Sequence, residues 1–169
     1  MSKLFLALPV KIDDAIYDLV KGLIDEPQLY PHLTLMYCGK EVTDEEVEIL
    51  ATLWKGVLLG KFKEIPKVTL LPKFAFFGKD NNVLVLKCDV GEALEDAVNT
   101  AREMSAKCVK SIPPSDFKFS PHATLGFGGH VLPVATANLS GLGEQEAQDI
   151  ILYGEGYTVR GVIKWSEIL

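Results

Sequence analysis

The sequence predicts an α+β chain built as two related lobes with duplicated strand and helix elements. Two observations lead there. Segments of period-two and of helical apolar spacing alternate along the 169 residues. One ten-residue stretch also recurs: residues 30–39 read YPHLTLMYCG and residues 120–129 read SPHATLGFGG. Aligned without gaps, the copies share Pro, His, Thr, Leu and Gly, and Tyr37 falls opposite Phe127. An element duplicated once at long range predicts two lobes facing each other, not a repeat array. The length suits one domain over residues 1–169, and no segment reads as a linker.

The elements follow in order. Lys3–Leu8 reads as a strand. Residues 13–23 place Ile16, Val20 and Leu23 at helical spacing. Tyr30–Tyr37 alternates as a strand. Thr43 followed by Glu46 forms a capping box, so a helix should run to about Val57. Phe62–Leu71 and Phe74–Phe77 are aromatic and branched, and read as strands. Residues 78–82 form a turn, and Val83–Cys88 returns as the second arm of a hairpin. Gly91–Lys107 spaces Leu94, Ala97, Val98 and Ala101 as one buried helix face. Pro113-Pro114 marks a loop. Phe119–Phe127, Asp149–Tyr153 and Val159–Trp165 complete the strands.

Composition narrows the function classes. Apolar residues make up 48% and charged residues 24%, an ordinary globular balance. The net charge of −6 comes with scattered lysines and acidic clusters at 44–46 and 144–146. A grip on long-duplex nucleic acid needs a basic stripe, so the expected ligand is a small anion in a local pocket. Cys38, Cys88 and Cys108 are odd in number and form no CxxC pair, which suits free thiols in a reducing cytoplasm. The run Leu4–Val10 is too short to span a membrane, and no cleavage site follows. The expectation is a cytoplasmic, monomeric protein with no cofactor, no metal and no membrane partner.

The repeated motif carries the chemistry. On a strand, residues i and i+2 share a face. His32 therefore points with Thr34, and His122 with Thr124, while Leu33, Leu35, Ala123 and Leu125 anchor the other side. By the same count Tyr37 falls with Leu33 and Leu35 and should be packed. Cleaving a phosphodiester needs a base at the attacking oxygen and an acid at the departing one. Histidine titrates near 6.5, so an imidazole and an imidazolium can coexist near neutral pH. Threonine hydroxyls can donate to phosphate oxygens as charge develops. One His-x-Thr arises easily by chance, and a lone strand histidine is more often structural. Two copies with matching neighbours favour chemistry. A two-histidine metal site is the rival, but no Asp or Glu lies within either motif to supply a third ligand. His130 lies outside the pattern and reads as a solvated loop residue.

At these residues the sequence resembles the 2H phosphoesterase superfamily, defined by two His-x-Thr/Ser motifs. Lys3–Pro9 is similar to the opening strand of its LigT-like RNA cyclic phosphodiesterase branch, and the element order agrees over essentially the whole chain. The resemblance implies a two-lobed fold with a pseudo-twofold axis and a central cleft in which His32, Thr34, His122 and Thr124 meet. It implies a metal-independent phosphodiesterase whose substrates include 2′,3′-cyclic phosphates at RNA ends, ADP-ribose cyclic phosphate and 2′-5′-linked oligonucleotides. In a phage branch they are cyclic oligonucleotide defence signals, which would place the protein in the host cytoplasm. The sequence departs from LigT-like chains where an arginine often follows the second motif; here stand Gly126 and Phe127. The stretch 128–143 is Pro/Gly-interrupted, so a helix expected there is reduced or missing.

Substrate contacts beyond the motifs are harder to read. Tyr37, Phe74, Phe76, Phe127, Tyr153 and Trp165 are candidates for stacking on a nucleobase, Tyr153 and Trp165 foremost, and Lys73 and Lys118 for attracting phosphate, Lys118 foremost. Aromatic residues nevertheless dominate cores in any protein. Two non-enzymatic alternatives share this fold: a module that sequesters a nucleotide without cleaving it, and a protein-interaction domain with remnant motifs. Remnants would be expected to lose a His or a Thr, and all four are present.

Overall fold

The computed structural model describes residues 2–20, 24–77, 82–113, 118–128 and 143–169. The strands are β1 (Ser2–Pro9), β2 (Glu26–Pro27), β3 (His32–Val42), β4 (Lys67–Phe77), β5 (Val83–Asp89), β6 (His122–Phe127), β7 (Glu144–Glu146), β8 (Ile150–Tyr153) and β9 (Val159–Ile163). The helices are α1 (Asp14–Val20), α2 (Asp44–Leu58) and α3 (Glu92–Cys108), with single 3₁₀ turns at Glu155–Tyr157 and Trp165–Glu167. The strands join in one antiparallel sheet, ordered β7-β4-β5-β6-β3-β1-β8-β9, with β2 added to β6.

The sheet is two halves joined at one seam. From that seam one half runs β3-β1-β8-β9 and the other β6-β5-β4-β7. The unit β1–α1–β3 recurs as β5–α3–β6, each ending on a histidine-bearing strand. A pseudo-twofold relation through the Leu33–Ala123 register pair exchanges them. This is the duplication foreshadowed by the two ten-residue copies.

Local chemistry explains the elements. Thr43 accepts from the Glu46 amide, and the Glu46 side chain accepts from the Thr43 amide, so the box that starts α2 is complete. The acidic cluster at 44–46 therefore sits in the first turn, where negative charge opposes the positive end of the helix dipole. α2 and α3 meet through a buried bond from Trp54 Nε1 to Ser105 Oγ, 2.9 Å long. Leu4, Leu6, Leu8, Leu33, Leu35, Leu50, Leu84, Leu86, Leu94 and Val98 fill the main core. The opposite face of β1 and β8 carries a small second cluster of Phe5, Ala7 and Tyr153.

Several boundaries differ from the sequence reading. The expected strands at 62–71 and 74–77 are one strand beginning at Lys67. Its pairing with β5 slips between Leu70 and Phe74, around Pro72, which has no amide hydrogen for the ladder. Phe62 instead packs edge-on against Trp165. The acidic segment 144–146 is strand β7, and Lys67 pairs with Glu146 at 3.4 Å. β2 had no sequence signal. Cys108 is exposed, while Cys38 and Cys88 are buried. Most of the expected 78–82 turn, most of the Pro/Gly-interrupted stretch and His130 lie outside the described residues. Among the described residues no helix is long and apolar enough to cross a membrane.

Candidate functional site

The two motifs meet at the seam. Leu33 of β3 pairs with Ala123 of β6, and both are fully buried on the core side. Neighbouring residues on antiparallel strands alternate faces together. One step either side of that pair, His32 is in register with Thr124, and Thr34 with His122, all on the other face. The alternation expected of His-x-Thr therefore brings both copies to one surface.

Each histidine is held in the same way. His32 Nδ1 lies 2.5 Å from the carbonyl oxygen of Tyr30, and His122 Nδ1 lies 2.7 Å from that of Ser120. A carbonyl can only accept, so Nδ1 carries the proton in both rings and Nε2 is the basic nitrogen of the neutral imidazole. The shared prolines help set this up. Pro31 and Pro121 restrict the preceding residue to extended backbone, the residue whose carbonyl is used. Their own carbonyls accept from Val10 and Cys88 at 3.1 and 3.0 Å, docking each motif on the neighbouring chain.

Burial sets the protonation. Desolvation lowers the His32 pKa below its ordinary value, the Tyr30 carbonyl opposes this, and the charge of His122 lowers it further. Desolvation likewise lowers His122, opposed by the Ser120 carbonyl, and the positive charge of Lys87 adds to the lowering. Lys87 stands opposite His122 in the β5–β6 register. Both rings therefore favour the neutral form at pH 7 in the free protein.

The two histidines have different surroundings. His32 is 7% exposed and is enclosed by Phe5, Tyr153 and Tyr157, with ring centroids 5.4, 6.1 and 5.9 Å away. Tyr157 adopts a left-handed backbone, φ 61°. A bulky residue is strained there. It is held by stacking on Tyr30 at 4.6 Å and by accepting from Gln28 Nε2 at 2.7 Å. His122 is half-buried, with the exposed Lys87 beside it.

A groove on this face is lined by His32, Thr34 and Thr124 and by Lys3, Gln28 and Tyr157, with Tyr37 and Phe127 also on its wall. Tyr37 corrects the sequence reading. It is 38% exposed, not packed with Leu33 and Leu35. The reason is a bulge: Ala7 pairs with Thr34 but Leu6 with Met36, so β3 gains a residue and its facing shifts by one. The second motif repeats the device, since Val85 pairs with Thr124 but Leu84 with Gly126. That turns Phe127, 39% exposed, to the same face.

The other expected contacts stand elsewhere. Tyr153 is 8% exposed and backs His32 without lining the groove. Trp165 is 1% exposed, and its indole donates to the Gln148 carbonyl at 2.8 Å, so it is a core residue. Lys118 is exposed and does not line the groove. Sequence reading missed Lys3, Phe5, Gln28, Lys87 and Tyr157. The Gly154/Gly156 turn before Tyr157 was the available signal for one of them. Burial pushes the Cys38 and Cys88 thiols up to about 12, which removes both as nucleophiles. Among the described residues no three His, Cys, Asp or Glu side chains gather as a metal site requires.

The arrangement offers two imidazoles and two hydroxyls on one face, with His32, Thr34 and Thr124 lining an open groove with aromatic walls and His122 beside them on that face but outside the lining. No protein-family model matches the sequence, and no curated relative matches it. Solved structures do. Escherichia coli LigT in complex with phosphate superposes with a TM-score of 0.67 at 18% identity, over 95% of this chain and 95% of that one. LigT in complex with 3′-AMP gives 0.66 at 18%, over 90% and 87%. The protein TT0787 of Thermus thermophilus gives 0.66 at 20%, over 95% and 96%. The likeness is one of architecture over nearly the whole chain, and the fold of this protein is the LigT fold.

Proposed function

We propose that the chain is a metal-independent phosphodiesterase acting on a small cyclic, 2′-5′- or 3′-5′-linked nucleotide. His32 and His122 are the proton-transferring pair, and Thr34 and Thr124 contact the phosphate. Substrates of this kind are 2′,3′-cyclic phosphates of RNA and cyclic oligonucleotide defence signals. The supporting observation is the matched bond from each imidazole Nδ1 to the carbonyl two residues earlier, which makes Nε2 the nitrogen of each neutral ring that can take up a proton. A structural histidine has no need of that arrangement twice across one seam. The complexes of LigT with phosphate and with 3′-AMP agree with a small phosphate ligand on this fold.

The chemistry balances without a metal. Water attacks phosphorus and passes its proton to one neutral imidazole as the new P–O bond forms. The bond to the sugar oxygen breaks, and that oxygen takes a proton from the other ring. Both rings are biased to neutrality in the free protein, so the acid must be charged on binding. An anionic phosphate supplies that bias, since a nearby negative charge raises a histidine pKa. Threonine hydroxyls donate to the non-bridging oxygens where charge grows. The roles of the histidines exchange between ring opening and ring closing.

The test is a substrate panel in EDTA: 2′,3′-cyclic nucleotides, 2′-5′ oligoadenylate, and cyclic di- and trinucleotides. Wild type is compared with the His32→Ala/His122→Ala double variant. Cleavage of at least one class by wild type and of none by the variant is expected. Tight binding without turnover would instead identify a sequestering module.

A further inference from the structure

Tyr37 and Phe127 occupy the same step of the two repeated stretches, three residues beyond Thr34 and Thr124. Simple alternation would bury both. Matched bulges, at Leu35 against β1 and at Leu125 against β5, turn both to the groove instead. Each is more than a third exposed, in a fold whose other motif residues on that face are polar. A single exposed aromatic means little. Two, produced by the same backbone device and lining one groove, form a pair. Because β3 and β6 are antiparallel, the two rings lie on opposite sides of the Leu33–Ala123 pair, with the four His and Thr residues between them.

We infer that the groove takes a phosphodiester flanked by two nucleobases, one stacked on Tyr37 and one on Phe127, the repeating unit of a linear or cyclic oligonucleotide. This rests on the proposed phosphodiesterase reading and names its substrate class. A mononucleoside 2′,3′-cyclic phosphate has one base and leaves one ring unused. Both platforms offer a ring face to the base, and every base has a π-face, so the preference is for two bases and not for particular ones.

The experiment separates binding from turnover. Isothermal titration on the His32→Ala/His122→Ala variant compares adenylyl-(2′→5′)-adenosine and adenylyl-(3′→5′)-adenosine with AMP. At least one dinucleoside is expected to bind about tenfold or more tightly than AMP, the effect of one extra stacked base. Adding Tyr37→Ala or Phe127→Ala should remove that advantage while leaving AMP within a few-fold. The ring-preserving changes Tyr37→Phe and Phe127→Tyr should keep it. Equal binding of dinucleoside and AMP, or alanine changes that weaken both alike, would overturn the inference. Turnover of dinucleosides by wild type is scored separately. A binding advantage without turnover sinks the phosphodiesterase reading alone, and turnover without a binding advantage sinks the two-base reading alone. Failure of every ligand to bind would overturn both.

Discussion

Leu33 and Ala123 form the register pair that joins the two halves of the sheet, and both are completely buried. Their side chains point into the core, so the residues flanking them point out together. Those flanking residues are His32, Thr34, His122 and Thr124. The site is in this sense the reverse side of a hydrophobic contact, and each expectation below depends on that geometry.

Lys87 faces His122 across β5 and β6 and lowers its pKa. Lys87→Met removes a positive charge that opposes protonation, so the His122 pKa rises. NMR titration of the imidazole Cε1–H should show the midpoint moving to higher pH, with a smaller difference in high salt. A midpoint unchanged at low salt, or moved lower, contradicts the assignment.

Both histidines have folded-state pKa values below their ordinary value, chiefly through desolvation. The unfolded chain then binds more protons across the interval from about 6.5 down to the folded values. The contribution to stability is fully present above that interval and is lost as pH falls through it. Thermal melts should give a lower Tm at pH 5 than at pH 7, and His32→Gln should flatten the slope. A Tm rising on acidification through this interval would oppose it.

Gly126 has no room for a side chain. β2 crosses it, with Pro27 in register, and an added Cβ would lie 2.6 Å from the Glu26 carbonyl oxygen. Gly126→Ala must push β2 away or strain the strand, at about 1–3 kcal/mol, the usual cost of overpacking. Chemical denaturation measures it, and a loss under about 0.5 kcal/mol would show the contact to be soft.

Gln28 is 6% exposed, donates to the Tyr157 hydroxyl and accepts from the Tyr30 amide. Tyr157→Phe keeps the ring packed on His32 but takes a partner from the Gln28 amide. A loss of about 1 kcal/mol is expected by denaturation. Because the Gln28 bond is one of the contacts that hold Tyr157 in a left-handed backbone, the loop should also exchange amide hydrogens faster. Unchanged stability and exchange would mean that the hydrogen bond contributes little.

Much of the fold was legible because local signals agreed with tertiary ones. The Thr43–Glu46 box starts α2 where expected, and the apolar spacing of Leu94, Ala97, Val98 and Ala101 predicts the buried face of α3. The histidine and threonine pair was legible because a motif met twice restricts chance. Tyr37 was misplaced because strict alternation fails at a bulge, and a bulge is a property of two strands in register. β2 is two residues long and exists only because β6 lies beside it. Trp165 resembled a binding residue in composition, yet its indole is satisfied by a backbone carbonyl in the core. Gln28 and Lys87 had no motif to mark them, since their roles depend on which neighbours the sheet supplies.

The central claim is that His32 and His122 act as one proton-transferring unit. The most direct measurement is kcat in EDTA for His32→Ala, His122→Ala and the double variant on one cleaved substrate. Each single change should cost about 10²–10⁴-fold, and the double variant should be little worse than the poorer single, because the groups work together. Retention of activity within a few-fold by either single variant would contradict the account.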